Sequence, residues 1–361
     1  MAVRVFLLAS LLGLAAAPCA VAVSCTPQSQ LTEAERSALL AAAEQFGEQI
    51  ETGNVAAVRA ATIASVAAEF TGISSEIVTV SPLLKGSAMT VLSLFDLDAS
   101  DLTAAQDQTQ FFCGGQNSPD VVFSLPQIPP GHYAVAMMHA SGIAQPQQIT
   151  LILALTAVQA GGGPAGPAGG AAGPGAAGPG GGAAAGSDVG KVGAWKLGGL
   201  FIRPLTSWGH DGLWYWTRAR GYVRSKQSWN AYFYYQTAET LLAPVDFIST
   251  PNLDKLIKEQ TAAAPEGLPG QRPMSLAGRG RSYQVTGLRT EGSLGGLDLV
   301  ISYDGGDNSD PVAARTRNVE VMQAMLSVHP ELRQGFHGLW VYSNAPNQRA
   351  FGNELPMSQI P

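Results

Sequence analysis

The chain of 361 residues has few charged side chains, and this shortage narrows its functional class. Lysine, arginine, aspartate and glutamate make up 13% of the sequence, with a formal net charge of −6. Nucleic-acid-binding proteins usually carry a basic patch or stripe, because contacts to phosphate dominate their affinity. The composition therefore predicts no nucleic-acid partner and favours a mildly acidic globular protein.

Motifs of common catalytic sites are also missing from the sequence. The chain has no H-E-x-x-H zinc motif, no G-x-S-x-G nucleophile elbow and no Walker-type phosphate loop. Its glycines form no dinucleotide fingerprint between a strand and a helix, and no C-x-x-C pair is present. We therefore expect neither a bound metal nor a cofactor.

Long apolar runs are absent except at the N-terminus. Arg4 precedes the apolar run at 5–17, and small residues follow it, which is the layout of a secretory signal peptide. The run is shorter than the roughly 20 apolar residues of a membrane-spanning helix. Because AVA at 20–22 suits signal peptidase, we expect residues 1–22 to be removed and the mature protein to be secreted or periplasmic.

Only two cysteines, Cys25 and Cys113, remain after this cleavage. In an oxidising compartment, an exported pair most simply forms one disulfide. Alternatively, AVSC at 22–25 loosely resembles a lipoprotein box, in which Cys25 would carry a lipid anchor. Ala22 fits that box poorly, because leucine is usual at its position, and we therefore expect the disulfide.

Residues 161–190 contain almost only three residue types, with Gly, Ala or Pro at 27 of 30 positions. Such a segment has no apolar surface to offset the entropy lost on ordering, so it is predicted to be disordered. We expect the β-rich runs 148–158 and 194–204 to pair across it, which would make the segment a long hairpin loop. The alternative is a linker between domains.

The region 26–204 has the pattern of an α+β domain. Thr32 and Glu35 have capping-box spacing before a helical face, and Asn54 is suited to cap a second helix that ends at Gly72. These two helices precede several runs of strand-forming residues. The runs lie at 88–98, 109–113, 120–126, 131–140 and 148–158.

Residues 205–264 instead show helical spacing. Asp211 is a good cap for a first helix, Ser228 for a second, and Thr250 followed by a proline for a third. We expect the aromatic residues of this segment to pack its helices onto the N-terminal domain.

A connector rich in proline and glycine, 265–281, leads to the final unit, 282–361. This unit has a β-β-α-β-α pattern, in which Asp310 caps the long helix and 350–360 forms a terminal helix. The whole chain is thus predicted to be α+β: two helices and a curved antiparallel sheet, a helical hairpin, and a small C-terminal unit.

Two parts of this layout resemble known families. Two helices followed by a sheet that ends in a strand containing tryptophan resemble the nuclear-transport-factor-2-like fold over 26–204, which implies a cone-shaped domain. The helical pair 211–244 resembles one tetratricopeptide repeat, although Arg218 stands where the pattern has leucine. That resemblance implies a hairpin with close contact between its helices and a third helix as a lid. The residues at the pattern positions are Tyr215, Ala219, Tyr222, Ala231, Tyr235 and Ala238.

Two histidines, His210 and His337, lie in the related strings GHDGLWYWT and FHGLWV. These strings resemble those of exported bacterial proteins of unknown function. The sharpest enzymatic hypothesis places the two imidazoles face to face, with Asp211 orienting one of them and Asp304 nearby as acid or base. A bound calcium at 304–310 is not expected, because the acidic residues there lack EF-hand spacing.

The absence of a catalytic motif favours a non-enzymatic function. We expect an exported binding or scaffold protein whose ligand or protein partner the sequence does not identify. Its binding surface would be the pocket of the cone-shaped domain or the surface of the helical hairpin. The alternative is a hydrolase-like enzyme that uses His210, His337 or both.

Overall fold

The computed structural model describes residues 23–115, 118–156, 193–278, 280–293 and 295–361. The predicted signal peptide, 1–22, and the predicted disordered segment, 161–190, lie outside these residues. The described chain is α+β, as the sequence predicts.

The N-terminal part begins with a short strand and continues with four helices. Its strand is β1 (Ser24–Pro27), and its helices are α1 (Glu33–Glu51), α2 (Val55–Ala60), α3 (Ala64–Ala68) and α4 (Thr71–Leu84). The predicted capping box is present: Thr32 Oγ1 accepts a hydrogen bond from the Glu35 N–H, and a Glu35 carboxylate oxygen accepts one from the Thr32 N–H.

The second predicted helix is divided, which corrects the expectation that it continues to Gly72. It ends at Ala60, because the chain there is hydrogen-bonded to a distant strand: the Ile63 N–H donates to the Leu197 carbonyl, and the Leu197 N–H donates to the Ala61 carbonyl. Gly72 consequently lies inside α4 rather than at a helix end.

The main sheet of the N-terminal part is antiparallel, with the strand order β1-β2-β5-β6-β7. The strands that follow β1 are β2 (Ala88–Asp98), β3 (Gln108–Gly115), β4 (Ser118–Pro126), β5 (His132–Ser141), β6 (Gln147–Thr156) and β7 (Ala194–Pro204). Strands β6 and β7 pair along their length, with Leu151 opposite Leu200. The predicted pairing across the segment rich in glycine and alanine is therefore confirmed.

Both faces of this sheet are covered. Helices α1, α2 and α4 pack on one face through side chains such as Leu39, Val58 and Ile77. Strands β3 and β4 cover part of the other face through Phe111 and Phe123. The predicted disulfide is confirmed, because Cys25 of β1 is bonded to Cys113 of β3.

The helical segment follows a short hairpin, and its aromatic side chains lie in one core with the C-terminal sheet. The short strands are β8 (Thr206–Ser207), β9 (His210–Asp211) and β10 (Ile248–Ser249), and the helices are α5 (Gly212–Arg224), α6 (Ser228–Leu242) and α7 (Pro251–Ala263). Tyr215 and Phe233 belong to the same buried cluster as Leu299 and Ile301. The expected docking of these aromatics onto the N-terminal domain is thus wrong for most of them, because the apolar face of the C-terminal sheet buries them, whereas Phe247 packs against Phe201 of β7.

Helix starts in this segment largely follow the predicted caps. Asp211 accepts a hydrogen bond from the Trp214 N–H at the start of α5, and Thr250 accepts one from the Leu253 N–H at the start of α7. Ser228 is the first residue of α6 rather than its cap, and the preceding Gln227 makes no capping hydrogen bond through its side chain.

The C-terminal sheet has the order β11-β12-β13-β14-β15, with one parallel pair, β13 and β14. Its elements are β11 (Met274–Ala277), β12 (Ser282–Ser293), β13 (Gly296–Asp304), α8 (Pro311–Val328), α9 (Leu332–Gly335), β14 (Gly338–Asn344) and β15 (Phe351–Pro356). Asp310 caps α8 as predicted. The predicted terminal helix at 350–360 is wrong: Gly352 and its neighbours pair with β14, and a single 3-10 turn follows.

Candidate functional site

A large apolar pocket lies in the N-terminal part, beside the face of the main sheet that strands β3 and β4 partly cover. Its volume is about 880 Å³. Ile152 and Phe201 of the sheet, Leu125 of β4, and Phe247 between α6 and β10 are among the side chains that line it. Ligand pockets in proteins typically measure about 300–1,000 Å³ and have mostly apolar walls with a few polar groups. This pocket has both properties.

A β-bulge shapes the wall of the pocket at β7. Ile152 pairs with Gly199 and Leu153 with Leu197, so Gly198 has no residue directly opposite it. A bulge bends its strand locally, and bulges are frequent next to binding sites. Because Gly198 lacks a side chain, the bent strand leaves the pocket open beside Ile152.

Polar groups lie at the end of the pocket where β5 begins. The Tyr133 hydroxyl donates to the Pro129 carbonyl at 2.8 Å, and burial raises the pKa of this tyrosine. His132 Nε2 lies 2.6 Å from Asp96 Oδ1, and this hydrogen bond raises the pKa of His132 despite partial burial. This histidine–carboxylate pair was not expected from the sequence, because it depends on strands β2 and β5 lying side by side.

His210 lies in the exposed β8–β9 hairpin. Its imidazole stacks on the indole of Trp214, with ring centroids 3.7 Å apart. The neighbouring Asp211 carboxylate accepts the Trp214 N–H and caps α5. The Asp211 carboxylate therefore caps α5 and does not orient an imidazole as had been expected.

His337 lies beside a buried carboxylate that the sequence analysis missed. Its Nδ1 is 3.4 Å from Oδ1 of Asp298, which is fully buried, while the histidine side chain is 34% exposed. Gly338 gives this carboxylate room, because a Cβ there would lie 2.9 Å from Asp298 Oδ1. The one signal in the sequence was an aspartate within the apolar run of β13.

Asp304 does not lie near His337, which corrects the expected grouping. It ends β13, whereas Asp298 lies near the start of that strand, next to Gly338 of the parallel strand β14. At about 3.3 Å per residue, the six positions between the two aspartates span about 20 Å. Asp304 Oδ1 instead accepts a hydrogen bond from the Gly306 N–H in the following turn.

The two strings that contain His210 and His337 meet through a row of aromatic rings. Trp214, which stacks on His210, lies 6.2 Å from Tyr234, and Tyr234 lies 6.0 Å from Phe336, the residue before His337. The Tyr234 hydroxyl also donates to the Gly335 carbonyl at 2.6 Å. The aromatic residues of both strings therefore join the helical hairpin to the C-terminal sheet.

The six residues at the tetratricopeptide pattern positions are all buried in the core that the hairpin shares with this sheet. They are Tyr215, Ala219, Tyr222, Ala231, Tyr235 and Ala238.

The third helix, α7, is held against the hairpin by one carboxylate. Glu259 accepts hydrogen bonds from Arg220 Nε at 2.7 Å and Nη2 at 2.8 Å, and from Trp216 Nε1 at 2.8 Å. The Tyr235 hydroxyl donates to the same carboxylate at 3.2 Å. Hydrogen bonds from Arg220 are the main reason that the pKa of Glu259 is lowered to about 2. We expected α7 to act as a lid, and the structure shows this helix fixed to the hairpin by a network of hydrogen bonds to Glu259.

Within the described ranges, His, Cys, Asp and Glu side chains form no group of three or more that could hold a metal ion. No helix in the described part of the chain combines the length and apolarity needed to cross a bilayer. Comparison of the chain with protein families, characterised proteins and solved structures finds no match.

Proposed function

We propose that this chain is an exported, non-enzymatic binding protein whose N-terminal part takes an apolar small molecule into the pocket beside its main sheet. The observation that carries the proposal is the pocket of about 880 Å³ with predominantly apolar walls. An apolar ligand gains about 25 cal/mol for each Å² of its surface removed from water, so such walls favour it. Tyr133 and His132, at the start of β5, suit a ligand with one polar end.

Export is part of this proposal. The N-terminal segment has the layout of a signal peptide. The bond between Cys25 and Cys113 fits an extracellular or periplasmic protein, because disulfides persist in oxidising compartments. A lipid anchor at Cys25 would need the same sulfur atom that forms this bond.

A pocket-filling substitution tests the binding site. A Cβ added to Gly198 would meet its nearest neighbours, Ile152 and Ile63, at 3.5–3.8 Å, which is ordinary van der Waals contact. Gly198→Leu is therefore expected to fold while its side chain occupies the pocket. Gly270→Leu is a matched control, because the same side chain is added at a site with no atoms within 4 Å.

Titration with the fluorescent apolar probe phenylnaphthylamine measures the effect. The native chain and Gly270→Leu are expected to bind the probe saturably at one site. Gly198→Leu is expected to bind it at least about tenfold more weakly, equivalent to about 1.4 kcal/mol. Equal affinity in the native chain and Gly198→Leu, or no saturable binding to the native chain, would refute the proposed site.

Hydrolysis is the second candidate function, and the contact between His337 and Asp298 favours it. A carboxylate beside one ring nitrogen orients the imidazole and stabilises its protonated form, which is the arrangement of a general base. In this candidate His337 is the base, with Asp298 in the orienting role that the sequence analysis gave to Asp211. The stacking of His210 on Trp214 gives that histidine a structural explanation.

A further inference from the structure

Trp208 has a backbone conformation that favours glycine. It is the first of two residues that link β8 and β9, with φ at +49°, and Gly209 follows with φ at +70°. Hairpin loops of two residues with positive φ at both positions usually contain Asn-Gly, Asp-Gly or Gly-Gly. A bulky side chain is strained at such a position, and strain of this kind concentrates at functional sites. The turn alone gives no reason for a tryptophan.

The indole of Trp208 lines a cleft of about 650 Å³. The cleft lies between the N-terminal part on one side and the helical segment and the C-terminal sheet on the other. A Cβ at Gly292 of β12 would lie 2.7 Å from both Cδ1 and Nε1 of the indole. Only glycine therefore lets the indole approach the strand this closely. The side chain nevertheless remains 45% exposed, which leaves ring surface open to the cleft.

The other walls of the cleft are rich in hydroxyl and amide groups. Thr206 and Ser207 come from the β8 strand, Thr237 and Thr240 from α6, Thr290 from β12, and Gln145 from the loop before β6. In the described part of the chain, the hydroxyls of Thr206 and Ser207 make no hydrogen bond to another residue. Each of these two hydroxyls can donate one hydrogen bond and accept two. The hydroxyls of Thr237 and Thr240 already donate to the carbonyls of Phe233 and Gln236, and Thr290 is hydrogen-bonded to Thr237, so these three serve a ligand as acceptors.

The cleft carries little net charge. Among the described residues that line it, Glu291 is the acidic one, and it forms an ion pair with Arg289. A single aromatic ring also differs from the cages of several rings that hold quaternary ammonium groups. One open indole face beside uncharged donors and acceptors suits a particular kind of ligand. Such a ligand has a ring with a face of C–H groups and several hydroxyl groups.

We propose that this cleft binds a saccharide unit, which stacks on the Trp208 indole and hydrogen-bonds to the surrounding hydroxyl and amide groups. The site is separate from the apolar pocket, and it assigns a purpose to the strained tryptophan. Removing the side chain removes the platform for stacking, while glycine at this position relieves the strained backbone. If Trp208 served only to pack the hairpin, its replacement by glycine would instead lower the stability of the fold.

The test uses the full mature chain and saturation-transfer difference NMR with glucose, galactose, N-acetylglucosamine, maltose and cellobiose, each at millimolar concentration. At least one sugar is expected to bind the native chain. In titrations of the signal against sugar concentration, Trp208→Gly is expected to bind that sugar at least about tenfold more weakly. Trp340→Phe, on the other face of the C-terminal sheet, is expected to retain binding.

Thermal unfolding of the same variants separates binding from packing. Trp208→Gly is expected to unfold at the same temperature as the native chain or higher, because glycine suits the positive φ. The inference is overturned if none of the five sugars binds, if Trp208→Gly binds as the native chain does, or if this variant unfolds at a clearly lower temperature. A loss of binding by Trp340→Phe equal to that of Trp208→Gly would also overturn it.

Discussion

Substitution of Glu259 by glutamine should weaken the attachment of α7 in a manner that depends on pH. The carboxylate accepts two hydrogen bonds from Arg220 and one each from Trp216 and Tyr235. Glutamine has nearly the same shape but no charge, and its NH2 group cannot accept a hydrogen bond, so it keeps the packing but removes the ion pair and at least one of these hydrogen bonds. The change therefore removes the part of the network that depends on charge, together with the hydrogen bond that the lost oxygen accepted.

The magnitude follows from the pKa of Glu259, which falls from 4.5 to about 2 in the folded chain. A shift of this size corresponds to about 3 kcal/mol in favour of the charged folded form. Glu259 and Arg220 are 26% and 38% exposed, and solvent screening reduces the contribution to about 1–2 kcal/mol. Because the folded pKa is lowered, this stability is present above pH 4.5 and is lost as the pH falls toward about 2.

Urea unfolding at several pH values is the assay. The free energy of unfolding of Glu259→Gln should be about 1–2 kcal/mol below that of the native chain at neutral pH. This difference should shrink as the pH falls toward about 2, where the native carboxylate also becomes neutral. Glu266→Gln, at an exposed loop position, is the control and should match the native chain. A difference for Glu259→Gln that stays constant with pH would refute the electrostatic explanation.

Two further predictions concern the disulfide and the second candidate function. The bond between Cys25 and Cys113 spans 88 residues, so replacing both with alanine should lower the free energy of unfolding by about 4–5 kcal/mol in urea titrations. A loss below about 1 kcal/mol would contradict this chain-entropy argument. In a screen with ester substrates, His337→Ala and Asp298→Asn should match the native chain if the protein is not an enzyme. Turnover that both changes abolish without unfolding the chain would favour the hydrolase.

Local signals in the sequence predicted those features that depend on neighbouring residues. The capping box at Thr32 and the cap at Asp310 need only the next three residues, and both are present. The disulfide followed from the number of cysteines and the expected compartment. The helix after Asn54 was predicted too long, because its end is set by hydrogen bonds with Leu197, far along the chain.

The candidate sites were harder to predict, because their residues meet only through strand pairing. Asp298 lies beside His337 because β13 and β14 run parallel, a register that no local pattern reveals. The apolar pocket likewise depends on the bulge at Gly198 and on Phe247 from a distant segment. The aromatic residues of 205–264 were expected to pack against another part of the chain, but the main partner, the C-terminal sheet, was misassigned.

The central claim is that the pocket in the N-terminal part holds an apolar ligand. A crystal structure of the full chain grown with phenylnaphthylamine tests it most directly. We predict density for the probe between Ile152, Phe201 and Phe247, with the rest of the fold unchanged. An empty pocket at saturating probe, or density only on the surface of the α5–α6 hairpin, would contradict the claim.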